Sequence, residues 1–320
     1  MPDARLVREW NQQQLTAVAA VALGEIWQTA DGKAAVSLAV VGSANRANFE
    51  SAGKYTVTKT LGITLLDGGQ VFWDYSANSA TFRKVGDRDF YLGRAVGDAG
   101  TADATVVVDL NSDPPYDLDL VRDPYTTAIV GTQALTGLAL NRRGGALNIV
   151  LSSTSEAQKV DALGVNTFNK AANAIVELAF RVTNDGAGTV VDVNLGIASA
   201  THATDADSIA NHLFLHLDAN MTDLEFQSKD GTTTVAAVDS TTDYVEGAAL
   251  ANRVEVWFDL RNPADVQVYV DGVNVLPASV FDLSAAANEF KLLAHVEKTS
   301  AADVYEIDVD FMRARFAEQG

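Results

Sequence analysis

Along the second half of this 320-residue chain, apolar side chains recur at every second position. Val176, Leu178, Phe180 and Val182 alternate with Glu177, Ala179 and Arg181. Val191, Val193, Leu195 and Ile197 alternate with Asp192 and Asn194, and Leu213, Leu215 and Leu217 with His212, Phe214 and His216. Val254, Val256, Phe258 and Leu260 alternate with Glu255, Trp257 and Asp259, and Tyr305, Ile307, Val309 and Phe311 with Glu306, Asp308 and Asp310. A period of two places successive side chains on opposite faces of a strand and cannot lay an apolar stripe along a helix. Val266–Val270, Asp271-Gly272 and Val273–Leu276 add a hairpin with a type I′ turn. The expectation is an all-β chain whose second part is an antiparallel sandwich, apolar inside and polar or acidic outside.

The first part is also read as strands: Gly24–Gln28, Ala34–Val41, Tyr55–Leu66, the aromatic run Val71–Tyr75 after an Asp67-Gly68-Gly69 turn, Phe90–Val96 and Ala104–Leu110. Residues 1 to about 20 are polar and then Ala-rich, an arm or short helix. Three of the six prolines, Pro114, Pro115 and Pro124, fall within eleven residues, where a ladder cannot continue. The organisation expected is therefore an arm over 1–22, a small β domain over 23–111, a linker over 112–125 and a sandwich over 126–320.

Charge supports that division. The net charge is −19, of which residues 1–111 carry −2 and the remainder −17. So acidic a surface repels phosphate backbones, which argues against nucleic acid as a partner. The chain contains no cysteine, so disulfide and thiolate chemistry are excluded. No apolar run approaches the length that spans a bilayer, and the first ten residues lack a signal-peptide core; synthesis in a cytoplasm and no membrane partner are expected.

Motifs that carry chemistry are scarce. Phosphate loop, nucleophile elbow and H-E-x-x-H helix are all missing. His212 and His216, four apart in a strand, stand roughly 13 Å apart, too far to share one metal, and are read as half-exposed. Thr204-Asp205-Ala206-Asp207, with Asp218 and Asp223, offers oxygens to calcium but lacks the glycine and distal Glu of an EF-hand; a solvated loop is the plainer reading. Glu306, Asp308 and Asp310 read as a solvated strand face. Trp73, Trp257 and Tyr269 could stack on sugars or serve as core. No catalytic residue, cofactor or metal is assigned.

Two resemblances enter here. Leu66-Asp67-Gly68-Gly69-Gln70-Val71-Phe72-Trp73-Asp74, Phe82-Arg83-Lys84-Val85, Leu92-Gly93-Arg94-Ala95-Val96 and Ala104–Asn111 follow one another in the order and spacing of the small all-β cement, or head decoration, proteins of tailed-phage capsids. Residues from about Leu23 to Asn111 resemble that family. Arg253–Asp259, the hairpin Val268–Val273 and the closing Tyr305–Phe311 are similar to concanavalin-like jelly-roll sandwiches. The fold expected is thus a small β-barrel-like decoration domain followed by an antiparallel jelly-roll β-sandwich.

The first resemblance implies a structural virion protein on the outer capsid surface, bound to the major capsid protein, commonly as a homotrimer at local threefold positions. The contacts then expected are Arg5, Leu6, Arg8 and Trp10 of the arm, ordering on docking, with Phe72, Trp73 and Tyr75 of the aromatic strand. The alternative is an adhesion module in which the sandwich captures host-surface glycan. A free glycosidase would need a carboxylate pair in a cleft, which nothing in the sequence marks.

Overall fold

The computed structural model describes residues 12–17, 19–138, 145–186, 191–218 and 222–316. Among them the only helices are two three-residue 3₁₀ turns, Ala206–Ser208 and Leu250–Asn252; everything else regular is strand. No helix there is long and apolar enough to cross a membrane. The chain divides into two compact units, Met1–Pro115 and Tyr116–Gly320.

The first unit contains two antiparallel sheets. One has the order Gln12–Thr16, Arg46–Glu50, Ala34–Ser37, Ile26–Gln28. Its first strand falls in the stretch expected as an arm: Gln12 to Thr16 pair with Glu50 to Arg46. The helix reading fails there, because the ladder satisfies the backbone of Gln12–Thr16 and Phe49, Ala47 and Ala17 pack a small core beneath it. The other sheet has the order Lys54–Thr58, Thr105–Leu110, Phe90–Ala95, Gln70–Asp74, Ser79–Thr81. A parallel bridge between Lys59 and Ala80 joins its two ends and closes it into a small barrel. At the register shift between Val71 and Phe72 the neighbouring strand carries Gly93, at φ 152°. A Cβ on that residue would lie 2.1 Å from the Asp109 carbonyl oxygen, so the barrel corner requires glycine.

The second unit is the expected sandwich of two antiparallel sheets. The first sandwich sheet has the order Gln133–Leu138, Ala146–Leu151, Tyr305–Arg315, Ile175–Asn184, Val254–Asp259, Gln267–Val270, Val273–Asn274. The second has the order Tyr125–Val130, Glu156–Gly164, Glu289–Ala301, Val191–Ala198, Asn211–Asp218, Asp223–Asp230, Thr234–Asp243. The alternating apolar residues of both sheets meet in one core, which includes Phe180, Leu195, Leu215, Phe226, Phe258 and Ile307. Phe226 and Phe258 contact edge to face, with ring centroids 6.1 Å apart. In the hairpin, Asp271 and Gly272 both have positive φ, as a type I′ turn demands.

Two expectations are corrected. The stretch expected as linker does not run free to residue 125: the second unit begins at Tyr116, and Leu118–Asp119 pairs with Ala314 and Arg313. The alternation of the last strand also breaks. Ala179 opposes Phe311 and Phe180 opposes Val309, so a bulge leaves Asp310 without an opposite residue. The phase inverts beyond it, and Met312 and Ala314 enter the core that Phe311 would otherwise occupy.

Candidate functional site

The outer face of the second sandwich sheet carries a polar network that the alternation hides. Residues two apart on adjacent strands share a face, so Asp161, His295, Glu297, Asp192, Asn194, His216 and Gln227 come together from five strands. Asn194, fully buried, is its hub. Its Oδ1 accepts from Gln227 Nε2 at 2.7 Å and lies 3.1 Å from His216 Nδ1, while its Nδ2 donates to Asp192 at 2.9 Å. Gln227 also donates to Asp207 at 2.5 Å. His216 lies 3.3 Å from Asp192 and 3.5 Å from Asp218. On the other side, His295 Nδ1 meets Asp161 at 2.5 Å, and Lys159 stands 3.2 Å from the same carboxylate.

A crossing loop explains the burial of this face. Residues 199–210 run over it, and Ala206 and Ile209 pack on the outward-facing Leu163, Ala198, Phe214 and Leu293. Asp205 caps the short 3₁₀ turn by accepting from the Asp207 amide. Lys159 Nζ donates to the carbonyls of His202 and Ala203 and fastens the loop down. His212 and His216 are thus buried, where the sequence suggested half exposure. His212 stacks on Phe214 at 4.6 Å. Of the acids considered for calcium, Asp207 and Asp218 join the network, whereas Asp223 pairs with Asp243 on another strand.

Burial by itself would lower the pKa of His216 and His295. The carboxylates of Asp192 and Asp218 around the first, and of Asp161 and Glu297 around the second, outweigh it and push both up to about 9. Both rings are imidazolium at neutral pH. His212, with burial dominant, is pushed down. Burial raises Asp192 and Glu225 above the usual carboxylate range. Asp192, Asp218, Glu225 and Glu297 keep partial access to solvent, so the network has an open acidic edge.

The outer face of the first sandwich sheet is also charged, and its acids and arginines pair with one another. Asp308 and Asp310, expected in solvent, are buried and take Arg181 Nη2 at 2.7 and 3.4 Å. Glu177 receives Arg313 at 3.0 Å, Tyr116 at 2.6 Å and Arg315. Trp257 is buried on that face and donates to Glu255 at 3.1 Å, beside the half-buried Tyr269. A shallow crevice lined by Leu118, Pro124, Gly164 and Val165 has room for about one water molecule and none for an organic ligand.

Of the expected capsid contacts, the three described ones, Phe72, Trp73 and Tyr75, do not share one face. Arg5, Leu6, Arg8 and Trp10 lie outside the described residues. Phe72 and Trp73 are successive strand residues and so point to opposite sides. Trp73 is buried and unable to touch a partner, while Phe72 is half-buried and meets Tyr91 edge to face at 5.5 Å. Tyr75 is exposed beneath Arg88, whose guanidinium sits 3.5 Å from the ring centre.

No family model matches the chain, the decoration proteins included, and no curated protein matches its sequence. Solved structures similar to part of this chain include the carbohydrate recognition domain of Emp47p, at 15% identity and a TM-score of 0.44, over 62% of this chain and 93% of that one. Lectin UEA-II of Ulex europaeus in complex with galactose also scores 0.44 at 15% identity, over 63% and 99%. A carbohydrate esterase of the Shiga toxin-encoding bacteriophage phi24B scores 0.36 at 14%, over 62% and 93%. Overlaps this loose transfer neither ligand nor activity, and the fold rests on the topology described above.

Proposed function

We propose that the second unit is a carbohydrate-binding module and that the protein acts by binding rather than by catalysis. The observation that carries this reading is the part-exposed carboxylate edge of Asp192, Asp218, Glu225 and Glu297, backed by the buried Asn194–Gln227–His216 network. Planar carboxylates accept from neighbouring hydroxyls in pairs, and groups already fixed by their neighbours lose little conformational entropy when a ligand arrives. The acidic surroundings favour neutral over sulfated or sialylated glycans. The test is binding of the full-length protein to an array of neutral and acidic glycans, repeated with Asp218→Ala and Glu225→Gln at the exposed rim. Saturable binding to neutral glycans, weakened in the rim variants, supports the reading; flat curves on every glycan sink it.

A second reading concerns the first unit. All the stretches that resemble phage decoration proteins fall in or beside one closed sheet, with Phe72 and Tyr75 on its outside. That supports a capsid-docking unit, with the major capsid protein as partner, a homotrimer at local threefold positions and the outer virion surface as location. Co-sedimentation with undecorated, expanded heads tests it: saturable binding at a fixed copy number upholds it, and failure to co-sediment removes it.

A further inference from the structure

His295 and Glu297 are two apart on one strand and share its outer face, and Asp192 is the cross-strand partner of Glu297. One ligand atom from each of the three lies within 4.8 Å of the other two. His295 is 1% exposed, and its ring is held from behind by Asp161 at Nδ1. The opposite nitrogen, Nε2, is buried and makes no close hydrogen bond; it is held only by a long ion pair to the Glu297 carboxylate at 3.5 Å. A buried ring nitrogen left in this way is costly unless something fills the place it faces.

The geometry points to a binding site for one divalent transition cation, liganded by His295 Nε2, Glu297 and Asp192, with Asp161 orienting the imidazole. A metal-bound histidine characteristically donates its other N–H to a carboxylate, the relation Asp161 has to His295. Metal–ligand bonds of about 2.1 Å in a tetrahedral site place ligand atoms about 3.4 Å apart. Small torsions of Glu297 and Asp192 close the remaining gap. Both carboxylates retain about a fifth of their exposure, enough to turn, to admit the ion and to leave a position for water. Their two charges match a dication, and the ion displaces the Nε2 proton of the His295 imidazolium to solvent on binding, so that affinity rises with pH. The imidazole nitrogen argues against Ca²⁺ and Mg²⁺, which take oxygen ligands, and in favour of Zn²⁺ or Mn²⁺. A neighbouring set, Asp192, Asp207 and His216, is less suited, since His216 Nδ1 is within hydrogen-bonding distance of Asn194 and Asp207 already accepts from Gln227.

The site goes beyond the carbohydrate reading and does not depend on it, because the test contains no sugar. Full-length protein stripped with chelator is titrated with Zn²⁺ in a calorimeter, and Co²⁺ is added separately to read its visible absorption. One equivalent is expected, resistant to excess Ca²⁺, with a Co²⁺ spectrum showing a nitrogen ligand. Glu297→Gln and Asp161→Asn are each expected to weaken Zn²⁺ by about 10- to 100-fold while circular dichroism shows the fold retained. His216→Gln is expected to change affinity less than about threefold, a small effect beside that range. Absence of saturable binding overturns the site, as does unchanged affinity in the folded Glu297→Gln and Asp161→Asn proteins. Loss in His216→Gln with retention in Glu297→Gln moves the ion to the other set and overturns it equally.

Discussion

Asn111 and Ala34 exchange two hydrogen bonds. The Asn111 side chain accepts from the Ala34 amide and donates to the Ala34 carbonyl, both at 2.9 Å, and it also donates to the Ser51 carbonyl at 2.7 Å. The residue sits at φ 56°, a conformation Asn tolerates better than most. It therefore ties the end of the barrel sheet to the four-stranded sheet of the same unit.

Asn111→Ala removes all three bonds and leaves an Ala residue in the left-handed region, at an expected cost of about 2–3 kcal/mol. Asn111→Gly relieves the backbone but not the bonds and should fall between the two. Urea denaturation followed by the first unit's tryptophans reads the order; equal midpoints for all three proteins would remove Asn111 as a tie.

Glu177 supplies the pH dependence. Burial alone would raise its pKa, but Arg315, Arg313 and Tyr116 hold it down to about 2, against an ordinary value of 4.5. A depressed folded-state pKa stabilises above the unfolded value, and that stability is lost as pH falls from about 4.5 toward 2; the shift corresponds to roughly 3 kcal/mol. Glu177→Gln should be clearly destabilised at pH 7 and approach the parent only as the pH falls below about 2. A penalty independent of pH would assign the loss to packing.

The bulge at Asp310 predicts an inverted substitution pattern. Met312→Ala empties a core position and should cost about 2–5 kcal/mol. Phe311→Ala lies on the outer face against Arg253 and Arg313 and should cost about 1 kcal/mol. Uninterrupted alternation demands the opposite order, so thermal denaturation of the two variants separates the registers.

Lys298 is buried with its ammonium donating to the carbonyls of Ser152, Thr154, Ala301 and Asp303. Lys298→Met leaves four acceptors of two loops without their cation, and a loss of about 2–4 kcal/mol is expected. Faster proteolytic cleavage near Thr154 should accompany it; unchanged cleavage and midpoint would show that water replaces the ammonium at no cost.

Much of the sandwich was legible because strand alternation is local. Phe180, Leu195, Leu215 and Phe258 all point inward as their spacing requires, and Asp271-Gly272 forms the turn its residue types demand. The bulge was not, since an extra residue shows itself only through the partner strand: nothing around Asp310 differs from an ordinary polar–apolar pair. The network on the second sandwich sheet was hidden for a related reason. Its members lie as far apart in sequence as Asp161 and Glu297, and the loop that buries His212 and His216 reads as solvent-bound acid. His295, the residue that matters most there, stood out in sequence only as one of four histidines.

The pairing of Leu118 with Ala314 and of Ala146–Leu151 with Tyr305–Arg315 places the last of the described strands in sequence order in the interior of a sheet. Until that strand leaves the ribosome, its neighbours Ala146–Leu151 and Ile175–Asn184 have an open slot between them, with unpaired backbone on both sides. The sandwich therefore cannot close before Tyr305–Arg315 has emerged, and until then the slot exposes two strand edges to any other strand that can pair with them.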